Sequence, residues 1–278
     1  NFSINYVRGW GQDRSNNLKD RVISLEAKNK YKNLSLHSEV AYDEQDIATN
    51  IRSVWDFDKH NLRLNFRDIE EEFTTITGRP PNRGEIGVSS RYSWQDNGKR
   101  FMTFVDLYRD REQENPDHPD AINYDLNMNY SMPLPQKFRW STSIFYSDSP
   151  QVISPRESFR YNNRISKSLK LWNERHISLS LSQSYQFNRF ELNPASDYDR
   201  YSLRAGMQMA LFQDMFYFIN YEQSWVEERL SNEQTRPSVM NTGVNYTRKL
   251  TEKLTGDTSL TYRDEQQAEG DFSFLSGE

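Results

Sequence analysis

The chain has 278 residues, 35% of them hydrophobic, and a formal net charge of -5. Its mean hydropathy of -0.95 and the lack of a run of about twenty apolar residues exclude a protein that crosses a membrane with helices. Aromatic residues make up 14% of the chain, which argues against disorder. Cysteine is absent, so disulfides and thiolate sites are excluded. The lack of a basic excess argues against nucleic acid as a partner.

Taken in order, the chain consists of segments in which apolar and polar residues alternate, as they do in a β-strand with two different faces. These segments lie near residues 2–11, 21–31, 34–43, 49–57, 61–69, 85–95, 100–110, 121–132, 137–147, 158–171, 176–188, 200–212, 215–227, 238–248 and 253–263. Strands of soluble sheets usually have about five or six residues, whereas a tilted strand that spans a membrane needs about nine to eleven. The pattern therefore predicts an all-β fold, a transmembrane up-and-down antiparallel β-barrel of about sixteen strands with its apolar face in lipid.

The links between the segments alternate strictly between short and long. The Asn97-Gly98 pair in the short link 96–99 is the clearest sequence signal of a tight hairpin turn. The long, charged links lie at 12–20, 44–48, 70–84, 111–120, 148–157, 189–199, 228–237 and from 264 onward. Because successive links of an up-and-down sheet lie at opposite ends, we predict short periplasmic turns and long extracellular loops.

The number of predicted strands indicates whether the given sequence contains the whole barrel domain. The alternating segments are odd in number, whereas bacterial single-chain barrels normally close with an even number of strands. Either residues 272–275 begin a sixteenth strand or the native chain continues beyond Glu278. We therefore expect residues 1–278 to form a single β-barrel domain, truncated at one or both ends.

Over nearly the whole chain, these segments resemble those of Gram-negative outer-membrane β-barrels in the porin-like size range. The resemblance lies in the architecture, and no motif identifies one family. It implies a location in the bacterial outer membrane and folding by the barrel-assembly machinery. The partners expected there are outer-membrane lipid and lipopolysaccharide.

Charged residues at the alternate positions are predicted to line the lumen, because a charge on the lipid face costs about 2 to 4 kcal/mol at the membrane midplane. The candidate pore-lining residues are Arg63, Arg67, Arg91, Arg139, Arg160, Arg164, Lys170, Arg204 and Glu222. Their basic excess indicates mild selectivity for anions, and Arg160, Arg164 and Arg204 are the best candidates for a basic strip. The alternative is that such charges pair across neighbouring strands and stabilise the wall.

The longest loop, 70–84, contains apolar residues that a fully solvated loop would not need. Its candidate constriction residues are Phe73, Ile76, Arg79 and Arg83. Such a loop folds into the lumen in some barrels, and the alternative is that it packs on its neighbours outside. The loop 148–157 is the second candidate for a constriction.

Signals of enzymatic chemistry are weak. The four histidines are scattered, and no spacing matches a metal site or a phosphate-binding loop. His118, between Asp117 and Asp120, is the one arrangement that could resemble part of a hydrolytic site. We therefore expect neither catalysis, nor a metal, nor a cofactor.

These features favour a passive or export channel whose polar lumen is restricted by the outer loops, with small hydrophilic solutes or an exported polymer as its cargo. The alternative is a structural barrel that sheaths or anchors another envelope component, a protein or polysaccharide export partner. An outer-membrane hydrolase and a soluble all-β domain with packed apolar faces are further alternatives. Each of the hypotheses that place the chain in a membrane is compatible with a homo-oligomer or an envelope complex.

Overall fold

A computed structural model describes residues 1–8, 21–73, 82–111, 120–150, 154–170, 176–212, 214–251, 254–267 and 270–277. Most of these residues lie in β-strands. Two single-turn 3₁₀ segments, Pro135–Lys137 and Pro194–Ser196, occur in links. Within the described ranges, no helix has the length and apolar character needed to cross a membrane.

The strands are numbered in chain order. They are β1 (Phe2–Arg8), β2 (Arg21–Tyr31), β3 (Leu34–Tyr42), β4 (Ile47–Phe57), β5 (His60–Ile69), β6 (Glu85–Asp96), β7 (Lys99–Asp110), β8 (Asn123–Pro133), β9 (Phe138–Ser149), β10 (Arg156–Lys170), β11 (His176–Phe190), β12 (Tyr198–Phe212), β13 (Met215–Glu228), β14 (Glu233–Thr235), β15 (Ser238–Thr251), β16 (Leu254–Gln267) and β17 (Gly270–Gly277). All but β1, β14 and β17 are at least nine residues long, which is the length that a tilted membrane-spanning strand needs.

The strands form one 17-stranded sheet, in which successive long strands pair antiparallel. The pairing runs from β1 with β2 up to β6 with β7, and again from β11 with β12 up to β16 with β17. The short β14 is an addition beside β13, which also pairs with β15. The prediction of about sixteen antiparallel strands in up-and-down order is therefore confirmed.

The predicted hairpin turn at Asn97-Gly98 is confirmed. Asp96 pairs with Lys99, so the loop has two residues, and both have a positive φ, 47° at Asn97 and 78° at Gly98. Two successive positive φ angles define a type I′ turn, whose twist matches that of the flanking strands. Asparagine and glycine tolerate this conformation better than other residues do, so this turn is encoded locally.

Two predictions about links need correction. The link 228–237 contains β14, whose residues pair with the end of β13. The predicted long link from residue 264 onward is wrong, because β16 continues to Gln267 and β17 begins at Gly270. Polar residues of low strand propensity are held in the ladder there by pairing with both neighbouring strands. The predicted sixteenth strand is confirmed as β17.

The chain divides into two compact units, and their boundary passes through β8, β9 and β10. The first unit comprises residues 1–128 and 145–157, and the second comprises residues 129–144 and 158–278. Among the described residues, the buried hydrophobic side chains are Ala41 and Phe73. The described parts of the two units therefore have no dry core of the size that a soluble sandwich would require.

Candidate pore-lining face

In the second unit, one side of the strands carries exposed apolar residues, and we call it the apolar face of that unit. The register places Leu179 beside Met207, and Met207 beside Ile219. Leu179 and Leu181 are 40% and 59% exposed. A second sheet packed on this side would bury them, so the alternative of a soluble domain with packed apolar faces is wrong.

The first unit has an apolar face of the same kind. Ile4 lies beside Leu25, and Leu25 lies beside Val40. All three are exposed, Ile4 by 76%. Contiguous apolar patches of this extent on a protein surface mark contact with a membrane or with another protein.

The opposite side of the first unit, its polar face, carries an ionic cluster around Arg67. The Arg67 guanidinium donates to Glu85 Oε2 at 2.7 Å and to both carboxylate oxygens of Asp106, at 2.9 and 3.2 Å. It also lies over the Tyr108 ring, 5.4 Å from the ring centroid. The Arg67 side chain is only 5% exposed. Arg67 is predicted to line the pore, and the structure shows it in the alternative arrangement, paired with carboxylates of β6 and β7.

Glycine permits this cluster to form. Gly87 lies opposite Tyr108 in the register of β6 and β7. A Cβ atom at Gly87 would come within 2.6 Å of the Leu107 carbonyl oxygen and 2.7 Å of Tyr108 Cβ. Only a residue without a side chain fits this close approach, which keeps Tyr108 beside Arg67.

A second ionic cluster on the polar face of the first unit surrounds Glu26. Lys28 Nζ and His37 Nε2 each lie 2.6 Å from Glu26 Oε1. Ser3 Oγ donates to Glu26 Oε2 at 3.0 Å. Glu26 thus contacts side chains of its own strand and of both adjacent strands, and Lys28 neutralises its charge.

On the polar face of the second unit, Glu222 is bound by Arg200. The Arg200 guanidinium donates to Glu222 Oε1 at 2.9 Å and to Ser224 Oγ at 2.9 Å. Ser224 and Ser202 are buried and lie 2.8 Å apart. Arg204 is directly opposite Glu222 in the register, yet the carboxylate pairs with Arg200, which lies diagonally across from it.

The predicted basic strip lies on this same polar face. Arg204 lies between Ser182 and Glu222 in the register, and Arg160 and Arg164 occupy the corresponding alternate positions of β10. All three side chains are exposed, and none has an ion pair in the part of the chain that the structure describes. Among the described residues, no carboxylate therefore neutralises the charges of these three arginines.

The other predicted pore-lining residues also lie at polar-face positions of their strands. Arg63 donates to Asn61 Oδ1 at 3.0 Å, Arg91 lies 5.7 Å from the centroid of the Phe104 ring, and Arg139 donates to Ser131 Oγ at 3.4 Å. Lys170 is exposed at the end of β10. Their role in a pore stays a prediction.

Part of the predicted constriction loop is described. Phe73 is buried, with 4% of its surface exposed, and Arg83 is half-buried. Ile76 and Arg79 lie outside the described residues, as does His118. Burial accounts for the apolar character of Phe73, and the constriction itself stays a prediction.

Arg200 and Glu85 belong to the ionic clusters but are not among the predicted pore-lining residues. Each lies at the first position of a predicted segment, where strand boundaries are least certain. The two-residue period of the strands could have identified both residues, because Arg200 lies on the same face as Arg204, and Glu85 lies on the same face as Arg91. Within the described residues, no group of three or more His, Asp or Glu side chains could hold a metal ion.

No protein-family model and no curated protein matches the chain. Solved structures of outer-membrane proteins are similar to it. The outer-membrane expressed OmpT of Vibrio cholerae is 9% identical, with a TM-score of 0.46, over 92% of this chain and 88% of that one. Wzi, an outer membrane protein involved in group 1 capsule assembly in Escherichia coli and a carbohydrate-binding β-barrel, is 8% identical, with a TM-score of 0.43, over 99% of this chain and 81% of that one.

Proposed function

We propose that the chain is a transmembrane β-barrel of the bacterial outer membrane, with its apolar faces in lipid. The exposed apolar residues on long strands support this proposal. From Ile177 to Phe187, the apolar face of β11 would rise about 26 Å if the strand is tilted by about 40°. That height matches the apolar band of outer-membrane barrels, about 25 Å.

The polar faces would then line a water-filled channel, because a barrel of about sixteen strands is too wide for its side chains to fill. The observation that carries the channel proposal is the exposed, unneutralised strip of Arg160, Arg164 and Arg204. Basic residues outnumber acidic ones at the polar-face positions of the second unit from β9 to β13. The basic ones are Arg139, Arg160, Arg164, Lys170, Arg200 and Arg204, and the acidic ones are Glu222 and Glu228. Such a field favours anions.

Conductance of the purified protein in planar bilayers tests this function. We expect open channels whose reversal potential in a KCl gradient has the sign of anion preference. The triple variant R160S/R164S/R204S should keep its conductance and lose most of that preference. Bilayers that stay silent would contradict the channel and favour the structural barrel that sheaths or anchors an envelope component.

The matched control removes three positive charges from the apolar faces. The three charges lie at positions that alternate in step with the exposed apolar residues of the same strand, and they belong to Arg8, Arg21 and Lys167. R8Q/R21Q/K167Q should therefore leave the reversal potential close to that of the unmodified protein. Equal shifts in the two triple variants would mean that net charge, and not the basic strip, sets ion preference.

A further inference from the structure

A pocket of about 330 Å³ lies on the second unit, where the apolar face meets the long loops. Tyr185, Tyr201 and Trp225 supply its aromatic lining, and Glu227, Gln234 and Arg236 supply polar groups. This volume is at the lower end of the range for small-molecule sites, about 300 to 1,000 Å³. The proposed function does not use this pocket.

Two aromatic rings form a platform in the pocket. Tyr201 and Trp225 are directly opposite each other in the register of β12 and β13, and their ring centroids lie 5.6 Å apart. They are 39% and 37% exposed. Their open faces can therefore pack against the C–H groups of a ligand.

The floor of the pocket is held in place by charged hydrogen bonds. Asp199 accepts two hydrogen bonds from Arg189, at 2.7 and 2.9 Å, and one from Arg229 at 3.1 Å. The Tyr185 hydroxyl donates to Asp199 Oδ1 at 2.9 Å. The hydrogen bond to Asp199 raises the pKa of Arg229. Asp199 thus holds Arg189, Arg229 and Tyr185 in position through these hydrogen bonds.

The strand β14 builds the wall of the pocket. Gln234 pairs with Glu227, and Thr235 pairs with Val226. The adjoining chain is fixed because Gln223 Nε2 donates to the Arg236 carbonyl oxygen at 3.3 Å. In the ranges that the structure describes, no hydrogen bond or ion pair engages the side chains of Glu227, Gln234 and Arg236.

These groups select the chemistry of a ligand. A purely apolar ligand would leave the carboxylate, amide and guanidinium without partners, which is costly when water is displaced. A bare phosphate has no apolar surface, so it would leave the exposed rings of Tyr201 and Trp225 without a packing partner. A sugar ring satisfies both requirements, because its hydroxyl groups donate and accept hydrogen bonds while its C–H face packs on Trp225 and Tyr201.

We propose that this pocket binds the pyranose ring of a saccharide. Its position at the outer surface of the membrane rests on the proposed barrel and its orientation. The sugar could belong to the lipopolysaccharide of the surrounding leaflet or to a free oligosaccharide, and the chemistry of recognition is the same for both.

Calorimetric titration of the full chain in detergent micelles with maltotriose and with chitotriose tests the proposal. We expect saturable binding of at least one of them, weakened at least about tenfold in Trp225→Ala, because a central aromatic anchor carries much of the binding energy. Trp55→Ala is the matched control, since Trp55 is 39% exposed on the apolar face of the other unit. This control should bind like the unmodified protein.

Two milder variants keep the test informative if Trp225→Ala does not fold. Trp225→Phe retains an aromatic ring and should retain most of the affinity, whereas Glu227→Gln removes the charged acceptor and should weaken binding at least about fivefold. Absence of saturable binding with both sugars, or equal affinity in Glu227→Gln and the unmodified protein, would overturn the proposal.

Competition by rough lipopolysaccharide in mixed micelles identifies the source of the sugar. Displacement of the bound oligosaccharide assigns the pocket to lipopolysaccharide, and lack of displacement assigns it to free saccharides. Because binding is measured without a bilayer, a silent channel with intact sugar binding would refute only the channel. Normal conductance without sugar binding would refute only the pocket.

Discussion

Replacing Arg67 by methionine tests whether the ionic cluster on the polar face stabilises the fold. The Arg67 side chain is 5% exposed, and those of Glu85 and Asp106 are each 16% exposed. Without the guanidinium, two carboxylates remain that water reaches only in part. Removing one partner of a buried ion pair costs about 3 to 5 kcal/mol, and because these carboxylates keep some contact with water we expect about 3 kcal/mol for Arg67→Met.

The assay is unfolding by urea after folding into phospholipid vesicles, followed by tryptophan fluorescence and analysed as a reversible transition. Arg63→Met is the matched control. Arg63 lies on the same strand and the same face, is exposed, and donates to Asn61. Its replacement should change the free energy of unfolding by no more than about 0.5 kcal/mol.

Removing the charges that Arg67 compensates separates ion pairing from packing. In R67M/E85Q/D106N no unpaired charge is left, so we expect this variant to regain more than half of the stability that Arg67→Met loses. If Arg67→Met and Arg63→Met had equal free energies of unfolding, the cluster would not stabilise the sheet, and the reasoning from burial would be refuted.

Two further substitutions test the close approach at Gly87 and the assignment of the faces. Gly87→Ala should lower the free energy of unfolding in urea by about 2 kcal/mol, because the Leu107 backbone and Tyr108 Cβ occupy the space of the new methyl group. Gly206→Ala should lower it less, because the nearest atoms there are the ends of side chains. A larger loss in Gly206→Ala than in Gly87→Ala would contradict the geometry. Leu181→Arg should reduce the folded fraction in vesicles, since a midplane charge on the lipid face costs about 2 to 4 kcal/mol. Ser182→Arg, one residue on, should fold normally, and equal folding of both variants would refute the assignment.

Much of the fold could be predicted from the sequence because it depends on short-range patterns. The alternation from Leu179 to Phe187 reflects the two-residue period of a strand, and the Asn97-Gly98 turn depends on the backbone freedom of two residues. The same alternation placed Arg160, Arg164 and Arg204 on one face. The predictions failed where polar residues such as those at 264–267 enter strands through pairing with their neighbours.

The partner of each charged side chain could not be predicted, because it depends on register and on side-chain direction across strands far apart in sequence. Glu222 lies opposite Arg204 but binds Arg200, and Arg67 is neutralised by carboxylates 18 and 39 residues away. The folding back of β14 likewise depends on its contact with β13.

The amino-acid sequence by itself determined which face of each strand is apolar and which is polar, because residue polarity alternates with a two-residue period and this pattern needs no distant contact. Only the tertiary structure decided which charges are neutralised, which remain open to solvent, and where Trp225 and Glu227 meet Gln234 in a pocket. Those outcomes require the register of several strands at once, and a one-residue shift in any of them would reverse its faces.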